Sequence, residues 1–175
     1  SNDTSEIDYF KYITDEDDNI TATNRPDTLH SGNGNDIIKS LAGDDIILSE
    51  NGNDNIYGGD GNDYVDGGSG NDVIYGQAGN DSLYGDNGID IIFGGSGNDT
   101  LYGGSGNDSF KGEDGNDFIY GGDGVDIAHY SGNFNDYSFV EIDSFLKVVD
   151  NRVGQYQWTD ALSSIEFITF ADQTV

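Results

Sequence analysis

Residues 67–75 read Gly-Gly-Ser-Gly-Asn-Asp-Val-Ile-Tyr, and residues 94–102 repeat them almost letter for letter as Gly-Gly-Ser-Gly-Asn-Asp-Thr-Leu-Tyr. Around these two the same nine-residue frame runs unbroken from Ser31 to His129: SGNGNDIIK, SLAGDDIIL, SENGNDNIY, GGDGNDYVD, GGSGNDVIY, GQAGNDSLY, GDNGIDIIF, GGSGNDTLY, GGSGNDSFK, GEDGNDFIY and GGDGVDIAH. The fourth place is Gly in all eleven blocks, from Gly34 to Gly124, whereas the second also holds Leu41, Glu50, Gln77, Asp86 and Glu113. The fourth place is therefore where only Gly fits, because φ is positive or another backbone passes close by. The first place, Ser at Ser31, Ser40 and Ser49, makes a softer demand.

The sixth place is always Asp: Asp36, Asp45, Asp54, Asp63, Asp72, Asp81, Asp90, Asp99, Asp108, Asp117 and Asp126. The eighth is always apolar: Ile38, Ile47, Ile56, Val65, Ile74, Leu83, Ile92, Leu101, Phe110, Ile119 and Ala128. Six turn-forming residues followed by three strand-like ones, the middle one apolar, predict a short strand that points one side chain inward. A fixed period of this kind is the signature of a stacked repeat architecture.

The composition narrows the choice. Of 175 residues only 34% are apolar, too few for a thick core, and 34 acidic residues against 6 basic ones leave a formal charge of −28. Such self-repulsion opposes compaction unless cations bind, and it argues against nucleic acid and anionic membranes as partners. With no Cys the fold has no disulfide to staple it, which leaves metal as the way to tie down a chain with 27 Gly. No apolar run approaches the roughly 18 to 20 residues of a membrane span, so no membrane insertion by this segment is expected. Ser1 to Glu6 lacks a signal-peptide pattern, and a chain without Met is expected to be a fragment or a processed piece.

Calcium is a hard cation that takes six to eight oxygens in flexible geometry, which carboxylates and glycine-opened backbone carbonyls supply; with no Cys and two His, zinc is disfavoured. The blocks match the calcium-binding nonapeptide G-G-x-G-x-D-x-U-x. On these residues the chain resembles the RTX, or hemolysin-type calcium-binding, repeats at the C-terminal region of type I secreted bacterial proteins. The resemblance implies an all-β fold, a right-handed parallel β-roll (β-solenoid) in which two blocks make one turn, with a small β-rich C-terminal cap. It implies calcium ligands from the eleven sixth-place Asp carboxylates and from loop carbonyls. The carbonyl candidates are Ser49, Asn51, Gly58, Asp60, Gly67, Ser69, Gly76, Ala78, Gly85, Asn87, Gly94, Ser96, Gly103, Ser105, Gly112 and Asp114. If blocks n and n+2 stack, about nine interior ions are expected, with one or two more at the ends. A secreted or cell-surface location, the type I secretion machinery as a partner and a monomeric module are implied in the same way.

Blocks 13–21 and 22–30 keep Asp18, Ile20, Asp27 and Leu29 in register without the glycines, as atypical terminal repeats do. Three parts are therefore expected: residues 1–30, an N-terminal segment with degenerate capping repeats in which Arg25 and Pro26 replace a metal loop; residues 31–129, the calcium-binding β-roll; and residues 130–175, a capping region. In the last part 137–140, 145–150 and the end of 163–175 read as strands, with Trp158, Phe145, Phe167 and Phe170 as their core. The ladders Tyr84, Tyr102, Tyr120 and Tyr57, Tyr75, Phe93 read as strand-stabilising stacks rather than a binding platform. Ile89 and Val125 replace the fifth-place Asn or Asp, yet Asp90 and Asp126 remain, so those loops are expected to bind. The serine-led loops are expected to bind more weakly. No catalytic constellation is apparent, and an enzyme is expected only in a parent protein. The alternative is a ligand- or ice-binding β-roll of an adhesin, with the fifth-place Asn ladder as its face and acidic third-place residues such as Asp60 against it.

Overall fold

The computed structural model describes residues 14–152 and 158–175; the expectations for residues 1–13 lie outside that range. One parallel sheet is built from β1 (Asn19–Thr21), β3 (Ile37–Lys39), β5 (Asn55–Asp60), β7 (Val73–Ala78), β9 (Ile91–Ser96), β11 (Ser109–Asp114) and β13 (Ile127–His129), and β17 (Phe167–Thr169) completes it. The alternate strands β2 (Thr28–His30), β4 (Ile46–Leu48), β6 (Tyr64–Asp66), β8 (Ser82–Asn87), β10 (Thr100–Ser105) and β12 (Phe118–Asp123) lie side by side in a second sheet. Successive strands within each sheet are offset by 18 residues: Ile38 pairs with Ile56 and Ile56 with Ile74, while Val65 pairs with Leu83 and Leu83 with Leu101. Two blocks thus make one coil, and the coils stack into an all-β solenoid.

The core is a single layer of eighth-place side chains, one per strand, all at 0–1% exposure from Leu29 to Ala128. Phe110 is the largest of them. It fits because Ala128 is its neighbour in the next coil and because a Cβ at Gly103 would stand 2.8 Å from its ring. The ninth-place aromatics stack along the outer faces, Tyr57 on Tyr75 and Tyr75 on Phe93 at 5.0 and 4.8 Å, Tyr84 on Tyr102 and Tyr102 on Tyr120 at 4.7 and 4.8 Å. Within each ladder both faces of the middle ring, Tyr75 and Tyr102, are covered by its neighbours.

Strands run further than the sequence pattern suggested. Seven of the array's strands, β5 and β7 to β12, span six residues and carry the ladder through the first three loop places. The reason is the unbroken 18-residue coil, which lets even turn residues pair with the coil above: Asn51 N–H donates to the Gly32 carbonyl and Gly52 N–H to the Ser69 carbonyl. The same stacking explains the invariant fourth-place Gly on both grounds. Gly70 has φ +138°, and a methyl group on it would overlap the Gly52 carbonyl oxygen. The second place is also left-handed, at φ +81° for Leu41 and Gln77 and +67° for Asp86. Four of the five non-glycines there are followed one coil later by Gly, on which a Cβ would overlap the preceding residue's carbonyl oxygen: Leu41 by Gly59, Glu50 by Gly68, Gln77 by Gly95 and Asp86 by Gly104, while Glu113 ends its column.

Beyond His129 the chain leaves the coil through a 3-10 turn (Phe134–Asp136) and an antiparallel hairpin, β14 (Tyr137–Ile142) and β15 (Phe145–Asp150). It then returns as β16 (Thr159–Ser163), parallel to β12 with Leu162 opposite Ile119, and as β17, with Ile168 opposite Ala128. The core of this region is Tyr137, Val148, Leu162, Ile168 and Phe170, flanked by Tyr130, Phe134 and Phe139. The expectation of a Trp158, Phe145, Phe167 and Phe170 core is thus corrected. Phe170 is buried, Phe145 packs edge-on against Tyr120 from a half-buried position, and Trp158 is half-buried. Phe167 is 44% exposed, because Ile168 takes the inward eighth place and alternation turns Phe167 outward.

The two left-handed columns predict unequal responses to substitution. Gly70→Ala should lose more than about 3 kcal/mol of stability in calcium, through backbone overlap and strain. Gln77→Gly should stay within about 1 kcal/mol of the parent, since relief of left-handed strain and added unfolded-state entropy oppose each other. Thermal denaturation in calcium measures both.

Candidate metal sites

Every sixth-place Asp is at most 2% exposed, and its two oxygens have different fates. Oδ1 accepts the backbone N–H of the Asp one coil earlier. Asp36 donates to Asp54, Asp54 to Asp72 and Asp72 to Asp90, each at 2.8 Å, while on the opposite edge Asp45 donates to Asp63, Asp63 to Asp81 and Asp81 to Asp99, each at 2.9 Å. Oδ2 is buried in all eleven and accepts no hydrogen bond.

Glycine at the first place makes room for that second oxygen. A Cβ on Gly58 would stand 2.7 Å from Asp63 Oδ2 and 2.9 Å from the Gly76 carbonyl oxygen; on Gly67 it would stand 2.7 Å from Asp72 Oδ2 and 3.2 Å from the Gly85 carbonyl oxygen. The same pairing brings Gly94, Gly103 and Gly112 carbonyls to Asp81, Asp90 and Asp99, and the Gly121 carbonyl, absent from the expected set, to Asp108. Two lone-pair oxygens facing each other across a buried space repel unless a cation lies between them. In the first blocks a hydroxyl enters this space: Ser31 Oγ donates to the Ser49 carbonyl at 3.0 Å, Ser49 Oγ to the Gly67 carbonyl at 2.6 Å, and Ser40 Oγ to the Gly58 carbonyl.

The third-place candidates are placed differently. Carbonyls of Asn51, Asp60, Ser69, Ala78, Asn87, Ser96, Ser105 and Asp114 each accept the N–H of a fourth-place Gly at 2.7–2.9 Å, keeping one lone pair free. The fifth-place Asn side chains are structural as well. Asn35 Oδ1 accepts the Asn53 N–H at 2.9 Å and Asn71 Oδ1 the Ile89 N–H at 2.7 Å, so a block can lose its Asn and keep its place. Among the described residues no three Asp, Glu or His side chains converge on one point, so a cation here must draw most of its oxygens from the backbone. A donor set of one charged oxygen with several carbonyls suits calcium, and the residues fit it.

Two ladder residues escaped the sequence reading. Asp117 N–H donates to Asp160 Oδ1 at 3.0 Å and Asp126 N–H to Glu166 Oε2 at 2.8 Å. Thr159 N–H donates to Asn116 Oδ1 at 2.8 Å, as a fifth-place residue would. The signal was the spacing Asp160-x-Leu162 and Glu166-x-Ile168, which repeats the sixth-to-eighth step of every block without its glycines.

The profile of the RTX calcium-binding nonapeptide repeat matches four stretches of the chain, residues 12–47, 40–74, 57–92 and 93–128. The chain belongs to the RTX calcium-binding repeat family. No curated protein matches it. Among solved structures the extracellular lipase LipA from Serratia marcescens is similar over 87% of this chain and 37% of its own, at 19% identity and a TM-score of 0.27. The RTX chain therefore spans little more than a third of that lipase's length. The array is a calcium-binding repeat module with a β-roll fold.

Burial in the RTX stack opposes ionisation. It pushes Asp72 and Asp81 up to about 7, and Asp117, which also faces Asp160, up to about 8. The folded chain then holds protons that the unfolded chain releases near its ordinary value of 3.8. The metal-free fold is consequently favoured below about pH 4 and loses that support as the pH rises through the folded values near 7 and 8. In a chelator, the β-signal in circular dichroism should grow as the pH is lowered from about 8 to about 5. With calcium in excess it should be the same at both ends. A chelated chain that loses β-structure on acidification would contradict this cause.

Proposed function

We propose that this RTX module is a calcium-triggered folding unit of a larger secreted protein, expanded where free calcium is scarce and folded outside the cell. The observation that supports it is the row of eleven buried Asp Oδ2 atoms with no hydrogen-bond donor. Desolvating an ionised carboxylate costs several kcal/mol even after relaxation, and eleven such costs exceed the total stability of about 5 to 15 kcal/mol that a domain commands. Neutral pH without metal therefore leaves the chain unfolded.

Bound calcium supplies the positive charge that each Oδ2 faces. The sixth-place Asp residues contribute the charged oxygen, first-place carbonyls from the next coil the neutral one, and third-place carbonyls their remaining lone pair. About nine interior divalent ions would take the formal −28 to about −10, which relieves the self-repulsion of the chain. The loops led by Ser31, Ser40 and Ser49 hold their ions more weakly, because a hydroxyl competes for the shared carbonyl.

On this reading residues 31–129 are the calcium-bearing array, residues 1–30 its degenerate start and residues 130–175 the seal that keeps the last coil from pairing with other chains. An unfolded, strongly acidic chain suits export through a type I secretion channel, and calcium affinity of roughly 10⁻⁴ to 10⁻³ M suits an extracellular module. The unit acts as a monomer, and any catalysis belongs to a domain of the parent protein.

Circular dichroism in EGTA, then in millimolar calcium, then in magnesium tests the proposal. A disordered spectrum that converts to β-structure with calcium alone is expected; full β-structure in EGTA at neutral pH, or an equal response to magnesium, would falsify it. Within the array, Asp72→Ala removes a carboxylate flanked by coils on both sides, whereas Asp36→Ala acts near the degenerate start. Asp72→Ala should lower the cooperativity of the calcium titration more than Asp36→Ala, and equal effects would argue against coupled coils.

A further inference from the structure

On the edge that carries Asp126, the next coil is missing and the tail stands in its place. The path from Ser163 to Glu166 is cut to two residues, Ser164 and Ile165, with Ser164 held left-handed at φ +52°. That turn brings the Ser164 carbonyl oxygen over Gly121, together with the unpartnered, fully buried Asp126 Oδ2. The arrangement is the one found at Gly58 and Gly67, where a carbonyl from the next coil meets the Asp of the same block. Glu166 adds a second carboxylate, and one of its oxygens already accepts the Asp126 N–H, as the next Asp does in every internal coil.

The opposite edge ends otherwise. Asp160 is held through both oxygens, Oδ1 by the Asp117 N–H and Oδ2 by the Tyr130 hydroxyl at 2.9 Å. Around Gly112 the three nearest atoms all belong to Asp117, with no next-coil carbonyl among them. The phenol proton satisfies Asp160 Oδ2, where the ladder ends, while Asp117 Oδ2 stays buried without a donor but with no next-coil carbonyl among the nearest atoms at Gly112.

We infer that the tail is itself a calcium ligand, with the Ser164 carbonyl and the Glu166 carboxylate closing one further site over Asp126, while the Asp160 edge ends in a hydrogen bond to Tyr130. This rests on the calcium reading proposed above and deepens it: the tail is clamped to the array by metal on one edge only. Ser164 and Glu166 lie at the surface, so the site keeps water among its ligands.

The test counts ions on the full chain by native mass spectrometry in calcium, with fluorescence of Trp158, the single tryptophan and a tail residue, reporting whether the tail stays docked. Glu166→Gln keeps an oxygen for the Asp126 N–H but loses the charge, and should carry one ion fewer than the parent with Trp158 unchanged. Glu166→Asp should recover the count, and Tyr130→Phe should leave it at the parental value. An unchanged count in Glu166→Gln, or an equal loss in Tyr130→Phe, overturns the inference. If the parent itself takes up no calcium, the folding proposal fails instead. Should Glu166→Gln not fold, crystals of the parent in calcium decide: an ion at about 2.3–2.6 Å from the Ser164 carbonyl supports the site, and a water or nothing there refutes it.

Discussion

A buried carboxylate oxygen facing a carbonyl oxygen from the next coil is the contact on which this protein depends. Asp63 Oδ2 and the Gly76 carbonyl both point into the space beside Gly58, and neither has a proton to offer the other. In an ordinary domain such a pair would be an error of packing. Repeated along both edges of an RTX solenoid it is a set of candidate cation sites, and in the function proposed above the need for a cation governs folding. The glycines follow from it: a side chain at Gly58 or Gly67 would fill the site, and one at Gly70 would strike the neighbouring coil.

The rest of the coil is built to tolerate this cost without assisting it much. One apolar side chain per nine residues gives a core a single layer deep, and the stacked aromatics outside reinforce strands that are already in register. Backbone hydrogen bonds link coil to coil through the loops as well as the strands, so a coil can form only on a neighbour. Local structure is therefore worth little until a second coil is present, and cooperativity along the axis is the natural result.

The two ends show how such a ladder can be stopped. At the start, Asp18 and Asp27 donate their N–H groups to Asp36 and Asp45, both at 2.7 Å, from blocks that have lost their glycines. At the finish the chain departs at Tyr130, folds a hairpin and returns to place Asp160 and Glu166 where the next two Asp residues would stand. The insertion hides the return, because it breaks the nine-residue count while preserving the Asp-x-apolar step.

The sequence by itself determined the nine-residue period, the inward row from Ile38 to Ala128, the eleven carboxylates and, through its resemblance, the family; the pairing of two blocks into one 18-residue coil is implied by that resemblance and seen in the strand register. Each depends on a local period, and steric and chemical demands that recur every nine residues leave a regular trace in the letters. Tertiary structure alone decided which oxygen of each Asp is satisfied and which carbonyl it meets. It also decided that Gly95 must be small where it passes the Gln77 carbonyl one coil before, and that Phe167 turns outward while Ile168 turns in. Those outcomes arise between residues one coil apart, or 40 and 43 residues apart at the tail, and no local pattern encodes a contact whose partner is chosen by how the chain comes back.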